Sequence, residues 1–226
     1  MDQFELDFGW MVDHMDDLAY RTFQHLTLTS LAVGIGFLIS LGLAIVAVRR
    51  RRAYGPILAF SDILYTIPSL ALFAALVSIT GISLTTVLVP LVAYTLTIFV
   101  RNIATGIDGV PAEVIEASDG LGFNSRQRLL NVELPLAVPL IVAGLRLASV
   151  STIGLVTVTS IMGDAFGGLG FFILEGYRRG FATELWFGAV PSILLAFIVD
   201  WLLLRVQRLI TPWARTGVVA NGDSAA

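Results

Sequence analysis

The polar residues of this chain are few, and none is spaced for bond-breaking chemistry. There is no HExxH pair for a metal, no GxSxG turn for a nucleophile and no Cys for a thiolate or a disulfide. All fourteen basic residues are Arg, so neither a Lys-bearing phosphate loop nor a Lys Schiff base can form. The two His stand at 14 and 25, in a polar stretch ahead of the first apolar run. What remains is a polar, turn-rich segment between 101 and 134 whose pattern suits contact and leverage rather than catalysis. Pro111 fits the first turn of a helix, Glu113 and Glu116 fall in early turns where a carboxylate complements the dipole, and Gly120 and Gly122 stop it. Asn124 or Ser125 can cap a second short helix carrying Arg126, Arg128, Leu129 and Leu130, and Pro135 marks the start of the next apolar run. Gly122 reads either as an ordinary helix stop or as a place where a partner must come close. Two capped helices at an angle are more than a plain connector needs.

The elements that hold this segment are expected to be membrane spans. Of 226 residues, 56% are hydrophobic and 14% charged, and mean hydropathy is +0.85. A soluble domain carries roughly 25% charged residues. So little charge cannot cover a water-facing globule, and it also disfavours disorder and nucleic-acid binding. The expected class is an all-α membrane protein. A span needs about 20 apolar residues. Residues 26–48 are uncharged and end on Arg49, Arg50, Arg51 and Arg52. Residues 53–100 carry one charge, Asp62, and read as two spans near 57–79 and 84–101, turning at Gly81. Further spans are expected at 136–162, interrupted by Arg146, and at 185–204, with Asp200 near its end.

Five spans put the termini on opposite sides. With the N-terminus outside, the inner segments hold ten Arg and the outer ones three, while Arg146 lies within a span. The positive-inside rule therefore predicts the N-terminus outside and the C-terminus inside. Residues 1–25 form an external segment in which Trp10, Met11, Met15 and Leu18 suit an interfacial helix or a packed extension. Residues 26–210 form the transmembrane domain, with 101–134 as its long inner loop, and 211–226 read as a disordered tail.

Glu116, Ala117 and Ser118, then Gly122, then Val132, Leu134 and Pro135 resemble the EAA motif of permease subunits of binding-protein-dependent ABC importers. That pattern is Glu-Ala-Ala, then Gly, then Ile-x-Leu-Pro at the same spacing; Ser118 and Val132 are the departures. Residues 24–28 (with Gln24 and His25), 66–72 (with Thr66 and Pro68), 101–107 (with Arg101 and Asn102) and 167–170 resemble permeases for quaternary amines. These import glycine betaine, choline, carnitine or proline. Thr97 stands where that group carries Pro, and Asp164, Ala165 and Phe166 interrupt a usually Gly-rich stretch.

The resemblance implies a type I importer permease fold in which loop 101–134 docks in a cleft of a separate cytosolic ATPase. Glu116 would make a polar or ionic contact and Ala117 would allow close approach, with Glu113, Ser118, Gly120, Gly122, Leu134 and Pro135 completing the coupling set. The implied partners are two ATP-binding subunits, a second permease (identical or paralogous) and an extracytoplasmic solute-binding protein, in the cytoplasmic membrane of a bacterium. ATP and Mg belong to the partner ATPase, so this chain holds no cofactor or metal and is not an enzyme. Tyr65, Pro68, Tyr94, Thr97 and Arg146 are the candidates for the translocation pathway. For the Tyr and Thr residues the competing reading is interhelical packing. Arg146 would line the pathway or pair with a carboxylate, and the competing reading is snorkelling. Asp62 and Asp200 are expected at headgroup level. The outer loop 163–184, with Phe166, Phe171, Phe172 and nearby Trp186, reads as a docking face or as interfacial anchors. Rival functions are import of another solute such as methionine, and a stand-alone channel or secondary carrier.

Overall fold

A computed structural model describes residues 6–212. Residues 1–5, and 213–226 of the expected tail, lie outside the described residues. Within them the chain is helix and turn, with no strand. α1 (Phe8–Asp13) is capped by the Asp7 side chain, which accepts from Trp10 N–H. α2 (Met15–Arg49) is one helix of 35 residues. At 1.5 Å per residue it is roughly 52 Å long, well beyond a hydrocarbon layer of roughly 30 Å. The boundary expected at residue 25 is therefore absent. Asp16 and Asp17 sit in the first turn of α2, where the dipole favours them. His25, expected ahead of the spans, is fully buried inside the bundle.

The span expected at 57–79 is not straight. α3 (Arg51–Thr66) and α4 (Ser69–Thr80) meet at 89°. Pro68 has no N–H to continue α3, and it holds Ile67 in extended geometry at φ −68° and ψ 126°. Gly81 turns the chain as expected, and α5 (Leu84–Asp108) starts on the Ser83 cap. After α6 (Ala112–Gly120), the chain enters α7 (Ser125–Arg128), passes through a π-helical turn at Leu129–Glu133 and continues as α8 (Leu134–Val158). The second short helix expected after Asn124 is thus the leading end of a 38-residue helix, Ser125–Met162. Pro135 cannot donate to Asn131 and crowds its carbonyl, and the turn widens so that Leu134 N–H bonds Leu129 O. The expected outer loop contains a helix of its own, α9 (Gly170–Arg179), before α10 (Ala182–Ile210).

Among the described residues four helices are long and apolar enough to cross a bilayer, and the bent pair makes five. α5 is the centre: 72% of its most apolar window is buried, against 22% for α10. Phe99, Ile103 and Ala104 of α5 pack between Val33 and Ala44 of α2 and Ala137 and Ala148 of α8. Small residues allow the approach. A Cβ on Gly36 would collide with the Thr95 side chain, and one on Gly144 would lie 2.8 Å from Asn102 Cβ. Exposed Phe60, Ile63, Ile79, Phe197 and Trp201 lie on α3, α4 and α10, the outside of the bundle, where lipid or a neighbouring subunit is the natural solvent.

Candidate functional site

At the Arg-rich end of the bundle the segment after α5 forms an elbow. Pro111 sits just before α6 in extended geometry, and Glu113 lies in the first turn. The helix closes with Phe123 N–H on Ser118 O at 3.1 Å and Gly122 at φ +82°, a left-handed stop that costs a side-chain-bearing residue strain. A Cβ at Gly122 or Gly120 would meet no atom of this chain within 4 Å. Within the chain Gly122 is therefore required for its backbone angle and not for space. Glu113, Glu116, Ala117 and Gly120 recur at helical spacing on one exposed face, while Ser118 on the opposite side is buried and donates to Ile115 O at 2.7 Å. Asn124 caps α7 in a capping box with Gln127.

The elbow is bound to two spans through one buried carboxylate. Glu133, in the π turn, is 3% exposed. Its Oε1 accepts from Arg128 Nε at 2.9 Å and its Oε2 from Arg49 Nη2 at 2.7 Å. Arg128 also donates to Asp119 of α6 at 2.6 and 2.8 Å. Arg49 is the last residue of α2. Arg51 at the start of α3 holds Asp108 at the end of α5 at 2.8 and 2.9 Å. Leu134 packs on the α2–α5–α8 core and Pro135 forms the first turn of α8.

A second feature lies between the α3–α4 break, the middle of α5 and α8: a cavity of about 380 Å³. Tyr65 and Pro68 line it from the break and Tyr94 from α5. The Tyr65 and Tyr94 rings meet edge to face, 5.9 Å apart at 74°. The Tyr94 hydroxyl donates to Ile67 O, giving a partner to a carbonyl left free by the break. Thr97 and Arg146 are not brought to the cavity. Thr97 donates to Asp62, which also accepts from Arg101 at 2.8 Å. Arg146 lies between α8 and α10, paired in bidentate fashion with Asp200 at 2.9 Å for both bonds. Asp62 and Asp200 are thus each ion-paired with an Arg.

At the other end of the bundle two distant stretches meet. Gln24 Oε1 accepts from Gly168 N–H at 2.7 Å and Gln24 Nε2 donates to Ala165 O at 2.7 Å. His25 Nδ1 accepts from Leu169 N–H at 3.3 Å, which leaves Nε2 to donate to Ile153 O at 3.0 Å. Asp164, in the stretch that interrupts the Gly-rich pattern, pairs with Arg21, whose guanidinium also stacks over Phe171 at 3.9 Å. The two motif stretches at 24–28 and 167–170 are therefore halves of one joint that fastens the loop between α8 and α10 to α2.

The sequence pattern of the binding-protein-dependent transport system inner membrane components matches residues 32–215, which take in the elbow, the cavity and all the spans except the first part of α2. The chain belongs to this family. The permease is 38% identical to the osmoprotectant import permease protein OsmW of Salmonella typhimurium, over 90% of this chain and 96% of that protein. It is 35% identical to the choline transport system permease protein OpuBB of Bacillus subtilis, over 87% and 89% of the two chains. In fold it is similar to an inward-facing structure of the MetNI methionine ABC transporter, with a TM-score of 0.77 at 22% identity over 88% of this chain and 98% of that one. The permease is an inner-membrane transport component with the type I importer fold expected from the EAA-like motif.

Two features of the permease escape sequence reading. Glu133 stands inside the motif, between Val132 and Leu134, at a position the pattern leaves open; only its burial and two Arg partners reveal it as a hub. Ser151 and Thr152 line the cavity from α8. The cluster of hydroxyls at 149, 151 and 152 in a mostly apolar run is the available signal.

Proposed function

We propose that the permease imports osmoprotectants such as glycine betaine, choline, carnitine or proline by alternating access, driven by ATP hydrolysis on two partner subunits that hold the ATP and Mg. The observation that carries this reading is the elbow: an exposed helix face bearing Glu113, Glu116, Ala117 and Gly120, tied through Asp119, Arg128, Glu133 and Arg49 to α6, α8 and α2 at once. A cleft on an ATPase that grips this face moves two spans together. Thr152 of α8 lies 19 residues beyond Glu133, roughly 28 Å along the helix at 1.5 Å per residue. A tilt of α8 set at the elbow thus displaces its hydroxyls relative to the α3–α4 break and opens or closes the cavity. The glycine betaine, carnitine and choline named in the relatives' descriptions support the substrate class.

The Arg distribution favours the N-terminus outside, the elbow in the cytosol and the loop between α8 and α10 facing an extracytoplasmic solute-binding protein. A second permease, identical or paralogous, completes the pathway, since five spans are few to enclose a polar path by themselves. The test is uptake of labelled glycine betaine, choline and carnitine in cells lacking other osmoprotectant systems, with the permease expressed beside its ATPase and binding protein. Uptake should require the ATPase, and Glu116→Arg should abolish it while the protein still inserts. Uptake that persists without the ATPase, or that Glu116→Arg leaves untouched, refutes the coupling reading.

A further inference from the structure

We infer that the cavity at the α3–α4 break is a transit site for a compact zwitterion, its carboxylate held on the Ser69–Thr152 side and its ammonium against the Tyr65 and Tyr94 rings. This rests on the import reading above. Three observations converge on it. First, the cavity lies near the middle of the central span, at Tyr94 and Thr95 of α5, and no charged side chain lines it. With no counter-charge on its wall, the cavity holds a zwitterion, whose two poles are met by dipoles and rings, better than a cation such as choline, which the rings alone hold. The nearby intramembrane charges are committed elsewhere, Asp62 to Arg101 and Arg146 to Asp200.

Second, Thr152 lines the cavity, is 1% exposed, and its Oγ1 has no hydrogen-bond partner within the described residues. Buried hydroxyls are seldom left so. The oxygen has almost no accessible surface in this state, so the anion pole of a solute supplies the acceptor this donor lacks once a tilt of α8 opens it to the cavity.

Third, α4, a helix of 12 residues, begins at the cavity wall. No side chain caps it, and its first backbone bond runs from Leu72 N–H to Pro68 O. Its positive end and the Ser69 hydroxyl therefore face the same space as Thr152. The Tyr94 hydroxyl is occupied by Ile67 O, so Tyr94 offers its ring rather than its oxygen, as suits a quaternary ammonium.

The permease has no Cys, so Ser69→Cys places a single thiol in this chain. The complete transporter is reconstituted in vesicles with solute on both sides, and alkylation of this thiol is timed. Saturating glycine betaine is expected to slow alkylation about tenfold, and choline, which lacks the carboxylate, far less. Thr152→Val added to the same variant should remove the protection, and Thr152→Ser should keep it. Ser151→Cys on the facing wall should behave as Ser69→Cys does, which guards against a local defect at either position. No protection by glycine betaine at either position, while the unsubstituted transporter imports it, overturns the transit site and leaves the import reading standing. Equal protection by choline overturns the preference for a zwitterion. Import of neither solute overturns the import reading and this inference with it.

Discussion

Replacing Glu133 with Gln tests whether the elbow moves as one body with α2 and α8. The amide keeps the volume and one acceptor oxygen, but it turns an NH2 toward either Arg128 or Arg49. One charge-assisted bond becomes a contact between two donors, and the other loses its charge. A hydrogen bond to a charged group is worth about 1.5–3 kcal/mol. The Arg128 and Arg49 side chains are 19% and 29% exposed, so water re-satisfies part of what is lost. A net loosening of about 2 kcal/mol follows, or roughly thirtyfold in the local opening equilibrium. Amide exchange in the complete transporter should therefore quicken roughly thirtyfold across residues 112–123, with α5 unchanged. Solute imported per ATP hydrolysed should fall, while hydrolysis itself continues. Glu133→Ala should go further, because it leaves two guanidinium groups facing each other with nothing between them. Wild-type exchange in α6 together with an unchanged import-to-hydrolysis ratio would refute the idea that this carboxylate carries motion from the elbow to the spans.

Gly122 sits at φ +82° with open space around it, so substitutions there should be graded by backbone strain and not by size. Asn should be tolerated best, while Ala and Val should each cost about 1–2 kcal/mol of elbow stability, read as faster exchange in α6; a wild-type elbow in Gly122→Val would contradict this. Arg146→Ala leaves Asp200 without its bidentate partner, and since both groups are partly exposed the loss should be about 1–2 kcal/mol. The double variant Arg146→Ala with Asp200→Ala should recover part of that loss in a detergent melting assay; a double variant no better than the single one would argue against pairing as the role of Arg146. A reporter fused after Arg215 should read cytosolic and one at Asp2 external, and the reverse pattern would overturn the orientation.

Much of the architecture was legible because it is written locally. The apolar runs, the Gly81 turn and the Pro111 to Gly122 elbow each depend on residues a few positions apart. The errors arose where a local reading met a distant partner. The polar residues ahead of 26 looked like a separate segment, yet Arg21, Gln24 and His25 find their partners in the 164–169 loop and in α8, and this keeps α2 helical through them. Asn124 looked like the cap of an isolated helix, but Pro135 only widens the chain into a π turn, and the helix runs on. Arg146 looked equally suited to a pathway, a carboxylate or a headgroup until the rotation of α8 set it against Asp200.

Composition, the apolar runs and the Glu116 to Pro135 spacing determined a polytopic helical permease with an exposed two-helix elbow. They could do so because a bilayer obliges each span to close its backbone hydrogen bonds within itself, leaving every span visible as its own apolar run. The pairing of Arg49 with Glu133, 84 residues away, the joint between Gln24 and Gly168, 144 residues apart, and the gathering of Tyr65, Tyr94 and Thr152 around one cavity were decided only when the helices packed. Which face of a helix a side chain occupies depends on the rotation and bends of its neighbours, and the α3–α4 break and the π turn set those angles through contacts that no stretch of sequence contains by itself.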